Sequence, residues 1–210
     1  MQPEDASKPG NAHDPAVHSA ESAIGKPKVT NSWKTIGEWL EVIAIALLIS
    51  LPIRYFVAEP FIVEGASMDP TFSTNQFLIV DRLTYRFDSP QRGDVIVFEY
   101  PLDPSKYYIK RIIGLPGETI NIRDGHVFVT ASGTPAVELN EPYVNPLHAS
   151  HDDFSTVLGP TDYFVMGDNR AESSDSRLWG PLEAKYIIGR PIARLFPLNS
   201  LSILPGEFRP

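Results

Sequence analysis

The chain contains no cysteine. That absence excludes a disulfide framework, a thiol nucleophile and a zinc–thiolate site, and it leaves the redox compartment open. Positive charge is scarce. Eighteen Lys and Arg stand against 26 Asp and Glu, a formal net charge of -8. Nucleic-acid binders set clustered Lys and Arg against phosphate, so no nucleic-acid partner is expected. Long apolar runs are nearly missing, with a single one around residues 42–53. Metal and cofactor motifs are missing too. His148 and His151 form an H-x-x-H beside Asp152 and Asp153, which in a polar loop reads as solvated surface. The polar run from Asp168 lacks the glycine that follows the third ligand of a calcium loop. No cofactor and no metal are expected. Proline and glycine, by contrast, are plentiful, 20 and 14 of 210 residues. They favour short strands and turns over long helices. The length fits one domain plus an appendage.

Residues 1–33 are rich in Pro, Gly, Ala, Ser and Asp and hold few large apolar side chains. Such a segment buries too little surface to offset its ordering entropy, and it reads as disordered. His13 and His18 lie there without a geometry for metal. The apolar run follows. Its uncharged core, Val42 to Ile53, has the length of a buried soluble helix, whereas Trp39 to Val57 makes nineteen residues with Glu41 and Arg54 near the ends. A bilayer core of ~30 Å takes roughly twenty helical residues. Terminal charges reach the headgroups, and Trp33, Trp39 and Tyr55 suit the interface. Residues 34–58 are therefore expected to be one transmembrane anchor, with Pro52 a kink near its exit. The preceding polar stretch is too long for a signal-peptide n-region, and no A-x-A follows the run, so the anchor reads as retained. Lys26, Lys28 and Lys34 precede it, which puts the N-terminus in the cytoplasm and the remainder on the far face of the cell membrane.

From Pro60 onward the pattern is β. Short runs rich in Val, Ile, Phe and Tyr recur at Phe77–Asp81, Asp94–Tyr100, Tyr107–Leu115, Glu118–Ile122, His126–Thr130, Tyr163–Met166 and Tyr186–Leu195. Asp124-Gly125 reads as a hairpin turn. Arg92-Gly93-Asp94 and Pro116-Gly117 read as further turns. Residues 131–162 have few apolar residues and read as an extended hairpin or an insertion of no assigned role. The expected class is mostly β, an irregular antiparallel sheet spanning 59–210 behind the N-terminal helix.

Three stretches carry chemistry. In Pro60–Thr71, Ser67 follows the small residues Gly65 and Ala66 and precedes the turn former Asp69-Pro70, where a strand gives way to a turn. An ordinary loop serine fits that stretch as well. In Tyr107–Gly114, strand alternation puts Tyr108, Lys110 and Ile112 on one face and Ile109, Arg111 and Ile113 on the other. Lys110 is either a snorkelling lysine or one buried enough to lose its charge. A neutral amine takes a proton from a serine hydroxyl. In Gly167–Arg177, short hydroxyl, amide and carboxylate side chains can rigidify a loop, and Asp175 can pair with Arg177. No histidine stands in a partner stretch for Ser67, so serine with lysine is the remaining nucleophile–base pairing.

Together these stretches resemble bacterial type I signal peptidases over residues 34–197. The motifs are Glu-Pro-Phe-x-Val-x-Gly-x-Ser-Met-x-Pro-Thr at Glu59–Thr71, Asp81-Arg82, Arg92-Gly93-Asp94-Val95, Tyr108-Ile109-Lys110-Arg111 through Gly114-x-Pro116-Gly117-Glu118, and Gly167-Asp168-Asn169-Arg170 with Ser173 and Asp175-Ser176-Arg177. The resemblance implies a membrane-bound serine endopeptidase that removes signal peptides from exported preproteins. It implies Ser67 as nucleophile, Lys110 as general base, Ser173 orienting the lysine, and Asp175 and Arg177 bracing the loop. Phe61, Val63, Met68 and Ile109 match positions lining the small-residue pockets for an A-x-A site. The implied partners are preprotein signal peptides and membrane lipid. Gly65 departs from relatives that carry a serine there as an oxyanion donor, so the oxyanion hole would rest on backbone N–H groups such as that of Ser67. Two rivals remain. One is a self-cleaving Ser-Lys regulator, disfavoured by the span and the acidic charge. The other is a membrane-tethered, non-catalytic β module that binds extended peptides.

Overall fold

The computed structural model describes residues 32–52 and 57–208. The expectations placed on residues 1–31, including His13 and His18, and on Arg54 and Tyr55 lie outside the described residues. The chain divides into two units, Met1–Ala44 and Ile45–Pro210. A helix, α1, runs over Ser32–Pro52. Several of its apolar side chains, Trp39, Leu40, Val42 and Leu48 among them, are more than half exposed. The sequence places a membrane span over 34–58. The described part of the helix covers Ser32–Pro52, residues 53–56 lie outside the described residues, strand β1 begins at Ala58, and among the described residues no helix is long and apolar enough to cross a membrane.

The rest is antiparallel β, as expected. The strands are β1 (Ala58–Ile62), β2 (Phe77–Asp81), β3 (Val95–Tyr100), β4 (Asp103–Gly114), β5 (Thr119–Arg123), β6 (His126–Thr130), β7 (Val137–Glu138), β8 (Phe154–Val157), β9 (Asp162–Met166), β10 (Leu182–Glu183), β11 (Ile187–Phe196) and β12 (Ser202–Ile203). One helical turn, α2 (Ser176–Trp179), interrupts them. The larger sheet runs β1-β2-β11-β3-β4-β9-β10, with β12 on β11; the smaller runs β7-β6-β5-β8. Alternation sets which faces are buried: in β2 Leu78 and Val80 point inward, in β5 Ile120 and Ile122. Asp124 and Gly125 both have positive φ, 47° and 79°, as a two-residue hairpin loop requires between β5 and β6.

The sheets share a core. Ile113 of β4 and Phe164 and Met166 of β9 pack on Ile120, Ile122, Val127 and Val129 of the smaller sheet. Residues 131–162 supply both outer strands of the smaller sheet, β7 against β6 and β8 against β5. A separate cluster of Val63, Met68, Phe72, Leu78 and Val95, with Ile109 against it, lies beneath the turn that carries Ser67.

Candidate active site

The larger sheet curls. β1 and β4 are separated by β2, β11 and β3 in strand order, yet Phe61 of β1 meets Tyr107 of β4 edge to face at 5.3 Å. Between them lies a groove of about 640 Å³, with residues 61–67 on one wall and 106–110 on the other. Both walls are open strand edges. Among the described residues β1 pairs with β2 alone, and β4 pairs with β9 only from Arg111 onward. Val63 binds Gln76 and Asn75 on the β2 side, so by antiparallel alternation the backbone groups of Ile62 and Glu64 face away from β2.

Ser67 stands in the turn that leaves β1. Gly65 has φ +88°, open to glycine at little cost, and Asp69 N–H donates to the Ala66 carbonyl at 3.1 Å. Lys110 rises from β4 to meet the serine. Its Nζ is 2.7 Å from Ser67 Oγ and 3.0 Å from the Ile109 carbonyl. The lysine is only 4% exposed. Among the described residues no carboxylate forms an ion pair with it. Burial pushes the amine down from its ordinary 10.5 to about 8, with Asp175 and Asp168 opposing at longer range. The lysine is thus neutral often enough, near pH 8, to accept the serine proton across the same short contact.

The loop 167–177 closes the site from the opposite side. Asp175 is fully buried. It caps α2 by accepting from Arg177 N–H, takes the Gly167 N–H at 3.1 Å, and holds the Arg177 guanidinium through both oxygens at 2.8 Å. Burial pushes its carboxyl up, but Arg177, the Gly167 N–H and the nearby Ser173 hydroxyl outweigh it and hold the pKa below the ordinary value. Ser173 Oγ is buried and lacks a hydrogen-bond partner of good geometry among the described residues. It makes no hydrogen bond to Lys110, whose described partners are Ser67 and Ile109. Gly167 is where the loop touches the nucleophile: a Cβ there would collide with both Ser173 Oγ and the Ser67 carbonyl.

Phe61, Val63 and Ile109 line the groove with Ser67 and Lys110. Met68 does not. It is 1% exposed and belongs to the core under the turn. Glu172 and Ser174 reach the groove although sequence reasoning passed them over.

Sequence reasoning also missed the frame around the site. Arg111, facing away from Lys110, holds Asp168 through two bonds of 2.8 and 2.7 Å, both side chains 1% exposed. Thr71 Oγ1 donates to the same carboxylate at 2.6 Å. Strand alternation already sends Arg111 inward, so the missing partner for a buried cation was the available signal. The 131–162 excursion, given no role from sequence, supplies acceptors to the loop. Glu141 takes a two-pronged contact from Arg170, with Nη1 to Oε2 at 2.8 Å. Ser150 and Asp152 take Arg177 Nη1 at 2.9 and 2.6 Å. His148, read as solvated, is only partly exposed and turns Nδ1 towards the Asp69 carbonyl at 3.4 Å.

An antiparallel β body with a serine–lysine contact at a strand-edge groove has the makings of a serine peptidase. The family comparison then places it. A model of the family described as signal peptidase, peptidase S26, matches residues 36–196. A signal peptidase I of Leptolyngbya laminosa is 37% identical over 207 residues, 93% of this chain and 94% of that protein. Signal peptidase I P of Bacillus subtilis subsp. natto is 40% identical over 161 residues, 72% of this chain and 83% of that one. A crystal structure of a signal peptidase I from Enterococcus faecalis, 32% identical, covers 49% of this chain and 97% of its own with a TM-score of 0.42. The chain belongs to the S26 family of signal peptidases. It is a serine endopeptidase of the signal peptidase I type.

Proposed function

We propose that this protein removes N-terminal signal peptides from exported preproteins, cutting after an A-x-A type site with a Ser67–Lys110 dyad. The observation that carries the reading is the 2.7 Å contact between Ser67 Oγ and a lysine amine held near pKa 8 by burial. The preprotein lies extended in the groove and adds a strand between the two open edges. Phe61, Val63 and Ile109 limit the side chains before the cut to small ones. Met68 acts from beneath, by packing under the Ser67 turn. Lys110 takes the hydroxyl proton as Ser67 Oγ attacks the scissile carbonyl. The same proton passes to the leaving amine of the mature protein. Water, deprotonated by Lys110, then attacks the ester and frees the signal peptide's new carboxyl end. The developing oxyanion is met by the Ser67 N–H, which nothing accepts among the described residues. Asp175 and Arg177 hold the loop against this centre, and Ser173 fills the space beside Ser67 and Gly167.

The exposed apolar side chains of α1 support a membrane location. The expected arrangement is one anchor over 34–58, a cytoplasmic N-terminus and the 59–210 domain on the outer face of the cell membrane. The test uses detergent-solubilised full chain, a preprotein with an A-x-A site, and mass spectrometry of the products. Cleavage directly after the A-x-A, lost in Ser67→Ala and in Lys110→Ala with circular dichroism unchanged, is the expected result. Cleavage at normal rate by either variant refutes the dyad. Binding without cleavage by the parent chain leaves a tethered peptide-binding module.

A further inference from the structure

Asn169 reaches from the 167–177 loop to the nucleophile turn with two bonds and is held within the loop by a third. Its backbone N–H donates to the Ser67 carbonyl at 3.1 Å, and its Nδ2 donates to the Ala66 carbonyl at 3.1 Å. Its Oδ1 accepts the Glu172 N–H at 3.2 Å, which fixes which end of the amide faces Ala66. Asn169 is 3% exposed, so these bonds are shielded from water.

The Ala66 carbonyl and the Ser67 N–H belong to one peptide unit. In a trans peptide they lie in one plane and point in opposite directions. Holding the carbonyl therefore aims the N–H. The Ala66 carbonyl is held twice, by Asn169 Nδ2 and by Asp69 N–H at 3.1 Å. Nothing among the described residues accepts the Ser67 N–H, and both Ala66 and Ser67 line the groove. At Gly65, the neighbour on the other side, a side-chain donor is absent and the backbone is freer to rotate. Such a peptide unit needs an external clamp if its N–H is to be preorganised for a developing negative charge.

We infer that Asn169 is a positioning residue that aims the Ser67 N–H as the oxyanion donor of the acyl-transfer reaction, by pinning the Ala66 carbonyl on the reverse side of the same peptide. This rests on the serine-nucleophile reading above. Asn169 touches neither Lys110 nor the scissile bond. Its effect belongs to transition-state stabilisation and not to substrate affinity.

Asn169→Asp isolates the effect. The carboxylate keeps an acceptor for Glu172 N–H but faces the Ala66 carbonyl with a second acceptor in place of a donor. Full chain in detergent is assayed on the alkaline plateau, where Lys110 is neutral in both forms. The acylation burst with p-nitrophenyl acetate is expected to slow ~10- to 100-fold, somewhat less than outright loss of an oxyanion donor. A peptide aldehyde ending in A-x-A, which forms a tetrahedral adduct with Ser67, should lose affinity by a similar factor. The matching peptide acid, which forms none, should bind within ~2-fold of the parent. Asn169→Ala is measured alongside, and the ratio of aldehyde to acid affinity is read on the folded protein, so a loss of stability does not mimic the effect. A parent-like burst in Asn169→Asp, or equal loss of aldehyde and acid binding in both variants, overturns the inference. Should the parent chain show the burst but cut no preprotein, the proposed substrate fails while the role of Asn169 is still measured.

Discussion

Lys110 carries a stability cost that pH can remove. Its amine is driven from 10.5 to about 8, chiefly by burial. At ~1.36 kcal/mol per pKa unit that difference corresponds to roughly 3 kcal/mol. The sign follows from proton counting. The folded pKa lies below the unfolded one, so between pH 8 and 10.5 the unfolded chain binds more protons and stability rises with pH. Below pH 8 both states are protonated and the full penalty applies. The penalty is ~2 kcal/mol at pH 9 and falls below ~1 kcal/mol at pH 10.5. Lys110→Met keeps the volume of the stem and removes the charge, so it is expected to stabilise the full chain at pH 7. The lost contact to Ser67 Oγ returns ~1 kcal/mol. The net gain is then roughly 2 kcal/mol, or ~4–8 °C in Tm for a chain of this size. Urea denaturation in detergent, followed by tryptophan fluorescence at pH 7 and pH 10.5, reads the difference. The gain should disappear, or reverse slightly, at the higher pH. A difference between parent and variant that stays flat over this interval refutes the argument that burial sets the amine's pKa, and with it the account of the base. The activity side has the same origin: kcat/KM of the parent should rise with pH through about 8.

Arg111→Ala leaves the buried Asp168 carboxylate without its guanidinium partner and should destabilise the fold by ~3–5 kcal/mol, read as a lower urea midpoint. Gly167→Ala drives a methyl into Ser173 Oγ and the Ser67 carbonyl, which should cost ~1–3 kcal/mol of stability and displace Ser67; cleavage should fall more than melting temperature does. Glu141→Gln removes the charge that holds the Arg170 guanidinium and should lower stability by ~1–3 kcal/mol while leaving the smaller sheet's ladder intact, as hydrogen exchange in β5 and β6 will tell.

The β body was legible because its strands alternate. β2 and β6 begin and end where the hydrophobic pattern does, and the Asp124-Gly125 turn announces its own geometry. The strands of two residues, β7, β10 and β12, carry no period long enough to read. Residues 131–162 stayed opaque for a related reason. Their contribution to the site is polar, through Glu141, Ser150 and Asp152, and a carboxylate in a loop gives no sign of which guanidinium it will meet. Ser67 and Lys110 were each readable as chemistry, but their contact spans 43 positions and depends on how far the sheet curls. Asn169 was hidden more deeply. It binds backbone carbonyls, which every residue possesses, so no partner residue type marks its role.

The curl that brings β1 to face β4 has a further consequence. A row of unpaired backbone groups invites other molecules to pair with it, and exposed edges are a common start of aggregation. Two of this protein's rows, those of β1 and β4, are turned towards each other across the groove. A single extended chain can slide between them and satisfy both at once. Another folded sheet, too broad for the slot, cannot join either of these two edges. The geometry that admits a substrate strand also keeps copies of the protein from polymerising through the same backbone groups.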